Sequence, residues 1–173
     1  MVEKSVEVAL PQGVSAQAGE GTLRVTGPLG ALEKSFDAKK TSVEVGGGKI
    51  VVRTKTGSGR RTWAMANSVA AHARNMIRGV TNGFEKKLSV VFAHFPISVE
   101  AKGNEVAIKN FLGEKLARSA EIVGQTKVAV SGQEIAVSGT SKDDVGQTAA
   151  NIIKATRITR RDIRVFQDGV YHA

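Results

Sequence analysis

The chain contains the stretch VSAQAGEGTLRVTGPLG at residues 14–30 and repeats its pattern as ISVEAKGNEVAIKNFLG at residues 97–113. The two stretches align without a gap at an offset of 83 residues. Each begins with apolar residues at alternate positions, turns through a polar tip and returns as a second alternating run. This pattern indicates a β-hairpin with one buried face. Its recurrence predicts two copies of one small folding unit.

The similarity extends beyond the hairpin. The segment VEVGGGKIVVRT from Val43 resembles VAVSGQEIAVSGT from Val128, and its three glycines predict a tight turn between strands. Apolar residues then follow helical spacing from Trp63 to Val80, with Gly79 and Gly83 as possible helix ends. In the second copy, Ser141-Lys-Asp-Asp144 has the form of a helix N-cap.

These patterns predict an α+β fold of two tandem duplicated domains. Each domain is expected to be a small antiparallel β-sheet packed against one α-helix, with the domains spanning residues 1–82 and 83–173. The carboxy-terminal tail, residues 157–171, has no counterpart in the first copy. We expect Phe166 to pack this tail onto the second domain and Asp168-Gly169 to form a turn that returns Tyr171 to it.

The composition favours a polyanionic partner. The chain has 25 basic and 16 acidic residues, which give a formal net charge of +9. Such an excess is typical of proteins that bind nucleic acid. There are no cysteines, and no apolar run approaches the ~18 residues of a membrane helix. Charged residues near the start argue against a signal peptide, so an intracellular protein without a membrane partner is expected.

Catalytic, metal and cofactor chemistry is poorly supported. The glycine run before Lys49 lacks the remainder of a phosphate-binding loop, and no serine lies in a G-x-S-x-G sequence. His72, His94 and His172 are scattered, so no metal site is expected; His72 fits a surface or half-buried place and His94 a packing role. We therefore predict no catalytic residues, no cofactor and no small-molecule substrate.

Two groups of basic residues contain no acid or only one. The larger has five cations within eleven residues, interrupted only by Asp162: Lys154, Arg157, Arg160, Arg161 and Arg164. The guanidinium group pairs bidentately with phosphate, so this cluster is predicted to follow an RNA backbone. A secondary basic patch comprises Arg53, Lys55, Arg60 and Arg61. Aromatic residues make up only 5% of the chain, which favours docking on folded RNA by shape over extensive base stacking.

Four ordered motifs resemble the large-ribosomal-subunit protein six family, in its archaeal and eukaryotic branch. They are PQGV at 11–14 with VTGPLG at 25–30, AHFPI at 93–97 with NFLGEK at 110–115, VGQTAAN at 145–151, and RVFQDGVY at 164–171. The resemblance spans nearly the whole chain. It implies a duplicated fold and a structural, non-catalytic role in translation.

The resemblance also implies partners and site residues. The partners would be large-subunit rRNA, neighbouring ribosomal proteins near the base of the lateral stalk, and translational GTPases docking nearby at the sarcin-ricin region. The protein would be cytoplasmic and ribosome-bound. The RNA face would consist of Lys142, Gln147, Asn151, Lys154, Arg157, Arg160, Arg161 and Arg164, with Tyr171 beside it. Contacts made by the longer basic tail of some relatives, or by the Lys-Gly-rich tail of the bacterial branch, are not expected.

Two other functions are compatible with parts of the pattern. The basic faces could meet acidic proteins, which would make the chain a protein-protein scaffold. A small enzyme is the third alternative. Filter binding of folded rRNA fragments would distinguish the RNA binder from the scaffold. An RNA binder should show a steep salt dependence and should lose binding when Arg157, Arg160 and Arg161 are changed to Ala.

Overall fold

The computed structural model describes residues 5–55, 59–93, 95–159 and 161–173. The chain divides into two compact units, the first ending at Gly83 and the second beginning at Phe84. Each unit contains one α-helix and antiparallel strands, so the predicted α+β class is confirmed.

The first unit divides its strands over two three-stranded sheets. One has the order β1-β6-β5 and the other the order β2-β3-β4. The elements are β1 (Ser5–Ala9), β2 (Ser15–Gly19), β3 (Thr22–Gly27), β4 (Gly30–Ser35), β5 (Thr41–Gly46), β6 (Lys49–Thr54) and α1 (Arg60–Thr81).

The predicted hairpins form where the glycines lie. Gly46 pairs with Lys49 at the end of the β5–β6 ladder, and between them Gly47 and Gly48 have φ values of 59° and 72°. Two consecutive positive φ values are what a two-residue type I′ hairpin turn requires, and glycine adopts them without steric cost.

Helix α1 begins three residues before Trp63, at Arg60, with Gly59 as its N-cap. The extra residues are polar, so the apolar period could not reveal them. Gly79 is not a helix end, as it lies buried inside α1, while Gly83 follows the C-cap residue Asn82 with a φ of 73°. Tertiary packing thus decides the role of each glycine.

The core of the first unit lies between α1 and both sheets. Leu23, Val25, Ile50 and Val52 are buried on the strands, and Ala66, Ala70, Ala73 and Val80 are buried on the helix. Small residues let α1 approach the sheets closely. At Gly27 of β3 an added Cβ atom would lie 2.6 Å from Cγ2 of Val80, so a side chain there would clash with the helix.

The second unit contains a four-stranded and a three-stranded sheet, ordered β11-β12-β7-β13 and β10-β9-β8. A 3₁₀ turn, Phe111–Gly113, follows β9. The elements are β7 (Phe84–Val91), β8 (Ser98–Lys102), β9 (Glu105–Lys109), β10 (Arg118–Glu121), β11 (Lys127–Ser131), β12 (Glu134–Gly139), α2 (Lys142–Ala155) and β13 (Gly169–His172).

The two units share one plan with one addition. The order β7-β12-β11 corresponds to β1-β6-β5, and β8-β9-β10 corresponds to β2-β3-β4. The addition is β13, which pairs antiparallel with the free side of β7. Neither unit has the single sheet expected from the sequence, because the alternating pattern of a strand does not reveal which neighbour it pairs with.

Strand β13 also changes the expected course of the tail. Phe166 packs against the second core, as predicted. Gly169, however, starts β13 and pairs with Val91, so the tail returns through a strand and not through a turn at Asp168-Gly169. The buried carboxylate of Asp168 accepts a hydrogen bond from the backbone N–H of Ala93 at 3.0 Å, which fastens the start of the strand.

Candidate nucleic-acid interface

Helix α2 presents its basic end to solvent. Its N-cap is Ser141, whose Oγ accepts a hydrogen bond from the backbone N–H of Asp144 at 3.3 Å. Asp143 and Asp144 occupy the first turn, and Lys154 lies in the last turn. Acids at the start and a base at the end both interact favourably with the helix dipole. The local sequence therefore stabilises Lys154 at the end of α2.

Gln147, Asn151 and Lys154 lie on one face of α2, because they are four and three residues apart. Gln147 donates to Asn151 Oδ1 at 2.9 Å, and Asn151 donates to the carbonyl of Glu121 in β10 at 3.0 Å. These two amides thus have partners within the protein. Lys142 lies about 18 Å from Lys154 along the helix and about 120° around it, so the two lysines do not form one cluster.

The chain leaves α2 through a buried threonine. Thr156 Oγ1 donates to the carbonyl of Ile153 at 3.0 Å and accepts from the backbone N–H of Val170 at 3.0 Å. One hydroxyl therefore joins the end of the helix to β13. The exposed Arg157 follows it directly, so its backbone is held on a rigid base.

Beyond Arg157 the chain forms a turn organised by Asp162. Its Oδ1 accepts from the backbone N–H of Arg164 at 2.9 Å, and its carboxylate pairs with the Arg164 guanidinium at 3.0 Å. These bonds lower the pKa of Asp162. The Arg164 side chain remains 87% exposed. Asp162, the single acid of the cluster, therefore serves to form the turn.

Two aromatic rings border the same segment. The guanidinium of Arg161 stacks on Phe166, 4.9 Å from the ring centroid. Tyr171 of β13 is 47% exposed, and its hydroxyl donates to the carbonyl of Gln167 at 3.1 Å. Lys154, Arg157 and Tyr171 line one cavity, so the structure brings these three predicted residues together. Arg160 lies outside the described residues.

A residue that sequence reasoning missed supports this region. Arg118, at the start of β10, donates to the carboxylate of Glu114 at 2.6 and 2.8 Å and to the carbonyl of Ala155 at 2.8 Å. A further bond reaches the carbonyl of Arg157 at 3.3 Å. The guanidinium also lies 4.3 Å from the centroid of Phe111. Arg118 therefore caps α2 and positions the segment where the basic cluster begins.

The motif NFLGEK at 110–115 explains how Arg118 is held. Asn110 and Leu112 both have positive φ, 58° and 50°, a conformation that costs a leucine stability. This sharp turn buries Phe111 under the Arg118 guanidinium and brings Glu114 to its edge. Hydrogen bonding from Arg118 lowers the pKa of Glu114, and the charge of Arg161 adds to the effect. The motif could have pointed to Arg118, but no local pattern links it to the end of α2.

The secondary patch lies on the first unit. Arg53 forms an ion pair with Glu44 of the neighbouring strand β5, at 3.6 Å. In the sequence Glu44 lies outside the patch, so the patch reads as free of acids although one of its cations is paired. Lys55 follows β6, and Arg60 and Arg61 open α1, whose first turn contains no acid. All four side chains are exposed.

The part of the chain that the structure describes can be compared with the requirements of a metal site and of a membrane-spanning helix. In these ranges no three His, Asp or Glu side chains converge as metal ligands. No helix among them is long and apolar enough to cross a bilayer. His72 is half-buried on α1 and His172 is exposed on β13, whereas His94 lies outside the described residues.

Comparison with known proteins identifies the family. The model of the family "Ribosomal protein L6" matches twice, at residues 10–83 and 95–169. The large ribosomal subunit protein uL6 of Methanosarcina mazei is 46% identical over 95% of this chain and 93% of its own. That of Methanocella arvoryzae is 45% identical over 98% and 96%, and that of Archaeoglobus fulgidus is 49% identical over 87% and 76%. The chain therefore belongs to the ribosomal protein L6 family and is a structural, non-enzymatic constituent of the large ribosomal subunit.

Proposed function

We propose that the chain binds large-subunit rRNA through the end of α2 and the segment that follows it, in the domain 83–173. The central contacts are made by Lys154, Arg157, Arg160, Arg161 and Arg164, with Lys142, Gln147, Asn151 and Tyr171 contributing beside them. The observation that carries this proposal is the exposure of Lys154 and Arg157, neither of which forms an ion pair with a described carboxylate, on a backbone fastened by Thr156 and Arg118.

The physical mechanism is phosphate neutralisation on a rigid scaffold. Each cation that meets a phosphate releases condensed counterions, so the affinity falls steeply with salt. Such contacts set the orientation of the protein but read little sequence, and selectivity then comes from the shape of the folded RNA. Because the backbone is held before binding, little ordering entropy is lost when the complex forms.

We further propose that the binding region lies near the base of the lateral stalk and the sarcin-ricin region. Neighbouring ribosomal proteins at the stalk base would be partners, and translational GTPases would dock nearby. Support comes from membership of the ribosomal protein L6 family and from the four motifs that resemble its archaeal and eukaryotic branch. A cytoplasmic, ribosome-bound location follows from this proposal.

Directed hydroxyl-radical probing tests the placement. The chain has no cysteine, so Thr159→Cys provides one site for tethering an iron chelate beside the basic cluster. The exposed Thr26 of β3, in the first unit, gives a matched Thr→Cys control. In reconstituted large subunits, the chelate at position 159 should cleave the sarcin-ricin region and the stalk base, with a different pattern from position 26. Cleavage from position 159 confined to other regions would refute the placement.

The secondary patch is proposed as a second phosphate contact. Arg60 and Arg61 lie at the positive end of the α1 dipole with no acid in that turn, an arrangement that is unfavourable in the free protein and favourable beside a polyanion. Replacing both by Ala should weaken rRNA binding without lowering the stability of the free protein. An unchanged affinity would assign the patch to solvent or to a protein neighbour.

A further inference from the structure

An open cavity of about 580 Å³ lies between α2 and the carboxy-terminal tail. Ile153 and Ile163 provide an apolar part of its lining, Phe166 and Tyr171 provide aromatic rings, and Lys154 and Arg157 provide positive charge. Most ligand pockets in proteins lie between about 300 and 1,000 Å³, and they combine an apolar lining with few polar groups. The cavity therefore has the size and chemistry to hold a planar ring.

Packing within the unit accounts for Ile153 and Phe166, which lie against the second core, but it leaves Ile163 and Tyr171 exposed. Ile163 is 68% exposed, although it lies in the basic segment. One exposed apolar side chain is ordinary, but Tyr171, 47% exposed, lines the same cavity, and exposed apolar side chains grouped at one site mark a surface that is covered on binding. Phosphate contact alone would use the cations and leave Ile163 and the exposed part of the Tyr171 ring in solvent.

The ring of Tyr171 is held in a fixed position. Its hydroxyl is bonded to the carbonyl of Gln167, and the ring lies so close to Gly169 that an added Cβ atom there would be 3.3 Å from it. The missing side chain at Gly169 thus lets the ring lie against the backbone. A fixed, half-exposed aromatic ring is a suitable platform for stacking an unpaired base.

We propose that this cavity receives one unstacked nucleobase of the large-subunit rRNA, with Lys154 and Arg157 holding the phosphates beside it. The proposal rests on the proposed rRNA-binding function and adds a base contact to the backbone contacts. A nucleotide satisfies both parts of the site at once, because its base is flat and apolar on its faces while its phosphate is anionic. An apolar side chain of a protein partner would leave the two cations unmatched.

Filling the cavity tests the proposal. Ala150 is exposed on α2 and lines the cavity, so Ala150→Phe would place a ring inside it without changing the charge. Ala71→Phe is the matched control at an exposed position of α1. The probe is protein-free large-subunit rRNA from Methanosarcina mazei, and the readout is filter binding across a salt series. Loss of one base contact predicts about 10- to 100-fold weaker binding for Ala150→Phe, with an unchanged salt slope.

A second pair of variants guards against misfolding of the plugged protein. Tyr171→Leu should weaken binding by about 10-fold or more, and Tyr171→Phe should recover most of the loss because it restores the ring. If the cavity held an aliphatic protein side chain instead, Tyr171→Leu would bind rRNA as well as Tyr171→Phe.

The outcomes separate this inference from the proposed function. If Ala150→Phe binds like Ala71→Phe and Tyr171→Leu binds like Tyr171→Phe, while the salt slope stays steep, the rRNA interface stands and the base site is refuted. If Ala150→Phe binds rRNA normally but no longer enters large subunits, the cavity holds a protein side chain and the inference is also refuted. If the unmodified chain shows no salt-dependent rRNA binding, both proposals fail.

Discussion

Replacing Arg118 by Ala should destabilise the second unit and leave the first unchanged. The side chain is 27% exposed, and it joins Glu114 on one side to the carbonyl of Ala155, at the end of α2, on the other. It also covers the ring of Phe111. No other type of side chain could make these contacts together, because only a guanidinium has several donors in a fixed planar arrangement.

The expected loss is about 3 kcal/mol. The bond to the Ala155 carbonyl is partly buried, and a hydrogen bond to a charged group contributes about 1.5–3 kcal/mol. The cation–π contact adds about 0.5–1 kcal/mol. The pair with Glu114 lies near solvent, so its contribution is limited to about 0–1 kcal/mol. Arg118→Lys keeps the charge but loses the planar geometry, and about half of the loss should remain.

Intrinsic fluorescence can follow each unit separately. The chain has one Trp and one Tyr; Trp63 lies on α1 of the first unit and Tyr171 on β13 of the second. In urea at pH 7, Arg118→Ala should move the Tyr171 transition to lower urea and leave the Trp63 transition in place. A Tyr171 transition displaced by less than the equivalent of about 1 kcal/mol would refute the capping role. Equal displacement of both transitions would indicate a general effect.

The pH dependence provides an internal check. Arg118 lowers the pKa of Glu114 in the folded protein, so the unfolded chain binds more protons in the acidic range. This contribution is complete above the ordinary value of 4.5 and is lost as the pH falls through the lowered value. The stability difference between Arg118→Ala and the unmodified chain should therefore shrink below pH 4.5. A difference that stays constant there would contradict the ion pair.

Three further changes test the packing in the same urea experiment. Gly27→Ala forces a Cβ atom to within 2.6 Å of Val80 and should cost about 1–3 kcal/mol, seen in the Trp63 transition; an unchanged midpoint would refute the close approach. Ser141→Ala removes the N-cap of α2 and should cost about 1 kcal/mol in the Tyr171 transition, whereas Ser141→Asp should cost little. Asp168→Ala leaves the N–H of Ala93 without its acceptor and should cost about 1–3 kcal/mol in the Tyr171 transition; an unchanged midpoint would contradict the role of this bond.

The sequence predicted those features that depend on local patterns. The hairpin at Gly47-Gly48, the helix N-cap at Ser141 and the α+β class follow from alternation, turn residues and capping chemistry, all of which act within a few residues. The two groups of basic residues can also be located directly from their spacing in the sequence. Each of these signals has a period or spacing that can be read without knowing the fold.

Features that depend on contacts between distant residues could not be predicted. Strand β13 pairs with β7, more than seventy positions earlier, and the division into two sheets per unit depends on similar pairings. Arg118 reaches Ala155 across 37 positions, and Glu44 meets Arg53 only because β5 and β6 are neighbours. Pairing partners and ion pairs of this kind are determined by the whole fold.

The salt dependence of rRNA binding tests the central proposal most directly. A variant with Lys154, Arg157 and Arg161 changed to Ala is compared with a charge-matched control in which Arg24, Lys40 and Lys49, all exposed on the first unit, are changed to Ala. If three phosphate contacts are lost, the slope of log K against log salt should become shallower by about 2–3, while the control should keep the original slope. Equal slopes for the two variants would contradict the assignment of the rRNA interface to the end of α2.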